Sequence, residues 1–194
     1  MKQDIILAGV GGQGILSIAT VIGSAALEQG LYLKQAEVHG MSQRGGDVQS
    51  NLRLSSNPIY SDLIPRGGAD LIVSLEPMEA LRYLPYLSGE GWIITNTAPF
   101  VNIPDYPEQE ALMAELRKHP RVVALDVDAI AKDLGNPRGA NMVLLGAMAA
   151  VMHILEPEKL RDGIRRIFAR KGDAVVESNL KAFDAGLQFS LNNK

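Results

Sequence analysis

The sequence predicts a single α/β domain, built on a mostly parallel sheet with helices on both faces and closed by a helical C-terminal part. Three observations predict it. Short continuous apolar runs, Ile5-Ile6-Leu7-Ala8 and Asp70-Leu71-Ile72-Val73-Ser74-Leu75, have the form of strands buried on both faces. Segments of helical periodicity alternate with such runs, the order that produces parallel sheets. After Asn136-Pro137 the strand signal stops, and helical segments follow near 141–155, 157–170 and 174–187. A chain of 194 residues can bury a proper core without disulfide or metal support. No internal repeat, low-complexity run or linker divides it, so residues 1–194 read as one domain.

In chain order, the first strand stops at Gly9 and leads through Gly9-Val10-Gly11-Gly12-Gln13-Gly14 into a helix over about 13–28, with Gly30 as its stop. Leu31 to Val38 forms a second strand, and a strand, glycine turn, helix, strand unit makes the sheet Rossmann-like and parallel at its start. Gly40 to Gly46 is a loop by composition. From Asp47 to Ser55, Val48, Leu52 and Leu54 share one face while Gln49, Asn51 and Arg53 share the other, with Ser50 a small exception on the apolar side. That alternation predicts one wet or partner-covered face and an antiparallel addition to the sheet. Asn57-Pro58 is a turn.

Pro77 opens a helix running through Met78, Leu81 and Leu84, with Glu76 and Glu79 near its positive end. A strand over 92–96, an amphipathic helix over 107–118 and a strand over 121–125 come next. Asp126 and Asp128 fit the ends of a strand and the cap of a helix better than a metal or acid pair. Asn141 to Met148 is apolar around most of its circumference, so it is buried in its own core or against another subunit. Its Gly146, Ala147, Ala149 and Ala150 permit close helix contact.

Composition excludes several chemistries. Net charge is −3, which leaves no global positive field for a nucleic acid or an anionic membrane. The chain has no cysteine, so it cannot by itself build a disulfide, a thiol nucleophile or a Cys-ligated zinc or iron–sulfur site. His39, His119 and His153 lie far apart and show no metal-binding helical spacing. Neither a metal site nor a catalytic residue is assigned, and any electrons must be carried by a partner or a bound organic cofactor. The longest uncharged stretch, 141–155, is too short to cross a bilayer comfortably, and the N-terminus lacks the regions of a signal peptide. A cytoplasmic protein is expected.

Two constellations stand out. Gly9-x-Gly11-x-x-Gly14, after a strand and before a helix, has the spacing of a dinucleotide fingerprint. In such a turn Gly9 permits the bend, Gly11 lets backbone approach a phosphate and Gly14 lets helix and strand pack closely. With Gly12 and Gln13 these form the candidate cofactor-binding set, and Glu37, 23 positions after Gly14, sits about where a ribose-binding carboxylate belongs. Dinucleotide binding, another anionic or cofactor contact and simple packing all fit the turn. The second constellation is Glu37-Val38-His39-Gly40-Met41-Ser42-Gln43-Arg44-Gly45-Gly46-Asp47. Its Arg44 can clamp a carboxylate or phosphate, and His39 can exchange protons near neutral pH. Alternatively Glu37, His39 and Arg44 satisfy one another at a subunit contact. No serine elbow accompanies Ser17 or Ser42, so a serine nucleophile is not expected.

These blocks, taken together with others, resemble a known family. Gly9 to Gly14, Glu37 to Gly46, Asp70-Leu-Ile-Val-Ser-Leu-Glu-Pro-Met-Glu-Ala-Leu-Arg82, Asn96-Thr97, Leu134-Gly135-Asn136, Asn141 to Gly146 and Asn179-x-x-x-Phe183-x-x-Gly186 follow in order. The chain is similar over nearly its whole length to the gamma domain of 2-oxoacid:ferredoxin oxidoreductases, in its indolepyruvate type. The Glu37–Gly46 block is the most specific part. Asp47 departs from the small residue, such as serine, more usual in the family there.

The resemblance implies oxidative decarboxylation of an aryl 2-oxoacid to an aryl-acetyl-CoA, with CO2 released and ferredoxin reduced. It implies that thiamine diphosphate and the iron–sulfur clusters sit on a large alpha subunit, that CoA is the co-substrate, and that ferredoxin meets the complex. This chain would be the small non-redox subunit, inactive alone, in a hetero-oligomer, with a homodimer as its form when isolated. The absence of cysteine and of a Gly-Asp-Gly…Asn-Asn thiamine motif agrees with that division. The substrate/CoA or interface loop then comprises Glu37, His39, Ser42, Gln43, Arg44, Gly45 and Gly46. A stand-alone NAD(P)-binding Rossmann enzyme and a non-catalytic assembly module are the alternatives.

Overall fold

The computed structural model describes residues 1–39 and 45–194. Six strands, β1 (Lys2–Val10), β2 (Tyr32–His39), β3 (Asp47–Ser55), β4 (Ala69–Ser74), β5 (Leu87–Asn96) and β6 (Val122–Leu125), form one sheet. Its order is β2-β3-β1-β4-β5-β6. The pairs β1–β4, β4–β5 and β5–β6 are parallel, and β3 is antiparallel to both neighbours. β2 therefore runs in the direction of β1 but is not its neighbour, which corrects the expected parallel start of the sheet. The alternating β3, with Val48, Leu52 and Leu54 buried on one face, fills the place between them.

The helices are α1 (Ile15–Glu28), α2 (Pro77–Arg82), α3 (Gln109–Leu116), α4 (Val127–Asp133), α5 (Ala140–Ala149), α6 (Pro157–Phe168) and α7 (Asp173–Asn193). The apolar runs feed two cores by simple alternation. Ile5, Leu7, Leu71, Val73 and Ile94 face α1 and the C-terminal helices. Ile6, Ala8, Ile72 and Ile93 face α2 and α3. α2 stops at Arg82, short of the expected Leu84, because Pro85 cannot continue a helix; Leu84–Tyr86 is a 3-10 turn instead. α4, with two buried residues, is too short to display a helical period and is marked in the sequence only by its capping aspartate. In β5 the polar start Leu87–Gly91 joins the strand because Leu87 pairs with Ala69, a partner no local pattern reveals.

α5 lies inside this chain's own core, its residues 142–149 all buried. It crosses α7 with backbone against backbone. A Cβ at Gly146 would overlap the Phe183 carbonyl, and one at Gly186 would overlap the Val143 carbonyl. Far from that crossing, fully buried Asp4 takes a two-pronged contact from Arg53 (2.9 and 3.0 Å), whose guanidinium also donates to the Ser61 and Leu63 carbonyls. Removing one partner of a buried pair strands the other. Arg53→Met is expected to lower unfolding free energy by about 3 kcal/mol in urea titrations; a loss below about 1 kcal/mol would mean that Lys2, 2.7 Å from Asp4, already suffices.

β1 and β4 are adjacent and parallel, yet α1 leaves β1 toward one core and α2 leaves β4 toward the other. Such a reversal opens a crevice beyond the carboxyl ends of the two strands, where open α/β sheets bind ligands.

Candidate functional site

At that crevice the glycine turn follows β1. Gly12 (φ 102°) and Gly14 (φ 89°) adopt the left-handed conformation that favours glycine. Gly14 also makes room for α5: a Cβ there would come within 2.6 Å of Asn141 Nδ2, so the close approach is to a distant helix and not to a strand. A Cβ at Gly9 would press on Ile15 Cδ1 and Gln13 Oε1 at 2.6 and 2.8 Å. The Gln13 side chain spans the crevice, its Oε1 accepting from Val10 N–H (2.8 Å) and its Nε2 donating to the Leu75 carbonyl (3.1 Å). Gly11 N–H, expected to face an anion, donates to the Gly46 carbonyl (2.9 Å). α1 starts behind Gly14 without a side-chain cap among the described residues.

A cavity of about 480 Å³ opens beside the turn, with Gly12, Gln13 and Gly14 on one wall and Asn96, Asp128, Arg138 and Asn141 on the other. Asn96 organises it. Its Oδ1 accepts from Ala98 and Val127 N–H, and its Nδ2 donates to the Leu75 carbonyl and to Asp128 Oδ2 (2.8 Å). Asp126 caps α4 through Ala129 N–H. Asp126 is thus the helix cap its position suggested, whereas Asp128 lies in the first turn of α4 and turns to Asn96 at the cavity wall. Asn141 Nδ2 donates to the Gly14 carbonyl (3.2 Å). None of Asn96, Asp128, Arg138 or Asn141 was singled out as a site residue, since only the fold brings residues so far apart to one wall.

On the other side of the sheet edge, Glu76 caps α2 through Glu79 N–H (2.9 Å) and also accepts from Phe100 N–H and the Tyr106 hydroxyl. Burial pushes the Glu79 carboxyl up, against the pull of Arg82, which contacts it at 2.8 and 3.1 Å. Burial, with the Glu76 carboxylate beside it, pushes the Tyr106 hydroxyl up as well.

The second constellation is divided by the fold. Glu37 pairs with Ser50, which pairs with Leu7, so it stands two strands (roughly 10 Å) from β1 and below the level of the glycine turn. It accepts from Gln35 Nε2 (2.8 Å). In a dinucleotide fold the acidic residue would sit on the strand next to β1; here β3 occupies that place. His39 is the last residue of β2, opposite Val48. Ser42, Gln43 and Arg44 lie outside the described residues. The block's far end does reach the turn: besides the Gly46–Gly11 bond, the Gly45 carbonyl accepts from Asn102 Nδ2 (2.7 Å).

A mixed sheet with a glycine-lined crevice at its reversal defines an open α/β domain. The chain belongs to the pyruvate ferredoxin/flavodoxin oxidoreductase family, which it matches over residues 4–189. It is 35% identical to indolepyruvate oxidoreductase subunit IorB of Archaeoglobus fulgidus, covering 100% of this chain and 98% of that one. Against the subunit of the same name from Pyrococcus horikoshii the identity is 37%, over 97% and 96% of the two chains. The fold is also that of part of the 2-oxoglutarate:ferredoxin oxidoreductase of Magnetococcus marinus, solved with 2-oxoglutarate, coenzyme A and succinyl-CoA bound (TM-score 0.76, 22% identity). There the match covers 100% of this chain and 32% of the larger one. Among the described residues no helix is long and apolar enough to cross a membrane.

Proposed function

We propose that residues 1–194 act as one gamma-type domain, the small non-redox subunit of an indolepyruvate-type 2-oxoacid:ferredoxin oxidoreductase in the cytoplasm. The observation that carries this reading is end-to-end identity of 35% and 37% with two IorB subunits. The complex would convert an aryl 2-oxoacid, CoA and oxidised ferredoxin into an aryl-acetyl-CoA, CO2 and reduced ferredoxin. A large partner subunit would hold the thiamine diphosphate and the iron–sulfur clusters, since this chain has no cysteine to ligate iron.

This chain's contribution is to bind and orient. The crevice beside Gly12–Gly14 offers a helix N-terminus, the Arg138 side chain and amides suited to an anionic group such as a CoA phosphate. Arg44 is the electrostatic clamp of the loop, its planar fork matched to phosphate or carboxylate. In a complex reconstituted from both subunits, Arg44→Ala is expected to raise KM for CoA or the aryl pyruvate by about 10–100-fold, the value of one charge-assisted hydrogen bond, with assembly intact. Disassembly without a KM effect would make the loop an interface element. The isolated chain is expected to oxidise no aryl pyruvate; turnover by it alone would overturn the proposal.

A further inference from the structure

We propose that fully buried Glu76 and half-buried Tyr106 form a latch that positions the 97–106 loop and, through it, the glycine turn of the candidate site. Both are positioning residues.

Glu76 is fully buried, and among the described residues it makes no ion pair; its carboxylate accepts from the N–H groups of Glu79 and Phe100 and from the hydroxyl of Tyr106. A shorter Ser, Asp or Asn would cap α2 as well without burying so long a carboxylate. The extra length of glutamate serves its other oxygen, which reaches across to the loop. Arg82, the cation on the same helix, is already committed to Glu79.

The loop needs such an anchor. Phe100, Val101 and Ile103 are 44%, 68% and 43% exposed, so they do little to hold it, and the apolar anchor is the Tyr106 ring, packed against the core of α2 and α3. Between Asn96 and that ring it is fixed by polar bonds: Ala98 N–H to Asn96 Oδ1, Phe100 N–H and Tyr106 hydroxyl to Glu76, and Asn102 Nδ2 to the Gly45 carbonyl. The next carbonyl, that of Gly46, receives Gly11 N–H. An unbroken chain of contacts thus runs from the start of α2 through the loop to the glycine turn. Burial and the Glu76 carboxylate keep the Tyr106 hydroxyl protonated, and hence a donor, at any ordinary pH.

The latch rests on the proposed function only for what it serves, so its test begins on the full chain alone. Amide hydrogen exchange is followed in Tyr106→Phe, which keeps the ring and removes the hydroxyl. Exchange at Gly11 and over 98–103 is expected to quicken about tenfold, as for one lost hydrogen bond, while Val143–Met148 in α5 changes less than about twofold. Glu76→Gln, which retains an acceptor, is expected to lie closer to the native chain than Glu76→Ala. Unchanged exchange at Gly11 in Tyr106→Phe overturns the latch, and so does an equal acceleration throughout α5, which would mark plain loss of stability. In the reconstituted complex the same variant should raise KM for CoA several-fold with kcat little altered. If the native chain assembles with no large subunit, the functional proposal fails while hydrogen exchange still decides the latch.

Discussion

Gly186→Ala is expected to lower the melting temperature by about 10 °C. Intrinsic helix propensity argues the opposite, since alanine is favoured over glycine by about 1 kcal/mol inside a helix. The crossing of α5 and α7 reverses the sign. A Cβ at Gly186 would overlap the Val143 carbonyl and approach the Ala147 nitrogen to 3.0 Å, and both are backbone atoms with no side chain free to swing aside. Gly146 meets the Phe183 carbonyl in the same way, so the two helices must part to admit either methyl group. Parting them would open the packing of Met142, Leu145 and Phe183, all fully buried. Overpacking of this kind costs about 3 kcal/mol, and in a domain of this size each kcal/mol moves the midpoint by about 2–4 °C. Thermal unfolding followed by circular dichroism measures it. A midpoint that stays put or rises would mean the helices do not cross at these glycines.

The second large effect is expected at Asn96, 1% exposed and bonded to four groups from three other segments. Asn96→Ala leaves the buried Val127 N–H and the Leu75 carbonyl without that partner, a loss of about 2–4 kcal/mol in chemical denaturation. Asn96→Asp separates hydrogen bonding from shape. The new carboxylate would face the Leu75 carbonyl and Asp128, which accept and cannot donate, so its folded-state pKa would rise above the unfolded value of about 4. The linkage then has a definite sign. The neutral acid is tolerated below the unfolded pKa, and stability falls as pH climbs through the folded one. The aspartate variant should therefore be least stable at neutral pH and recover partly on acidification. A pH-independent loss would show that Asn96 donates to neither acceptor.

Much of the chain was legible because its strongest patterns are local. The run Ile5 to Ala8 announced a strand buried on both faces, and it divides residue by residue between the two cores. The all-round apolar character of α5 announced a buried helix, and Gly146 its close contact. Alternation over 48–54, broken only by the small Ser50, announced an antiparallel addition, which β3 is. The candidate site was less legible. Glu76 read as a charge suited to the positive end of a helix; its bonds to Phe100 and Tyr106 depend on residues more than twenty positions away. Gly14 read as a spacer between helix and strand, whereas the atom it accommodates belongs to Asn141, 127 residues on.

The amino-acid sequence by itself determined the secondary structure of most segments, the two-sided burial of the sheet and the want of any thiol for iron or disulfide chemistry. Periodicity and residue type are properties of neighbouring positions, and a chain displays them before it folds. Only the tertiary structure decided that β3 would separate β2 from β1, carrying Glu37 away from the glycine turn, and that Gln13, Asn96, Asp128 and Asn141 would surround one crevice. Strand pairing and side-chain convergence are settled by the free energy of contacts between distant segments, which no single window of residues contains.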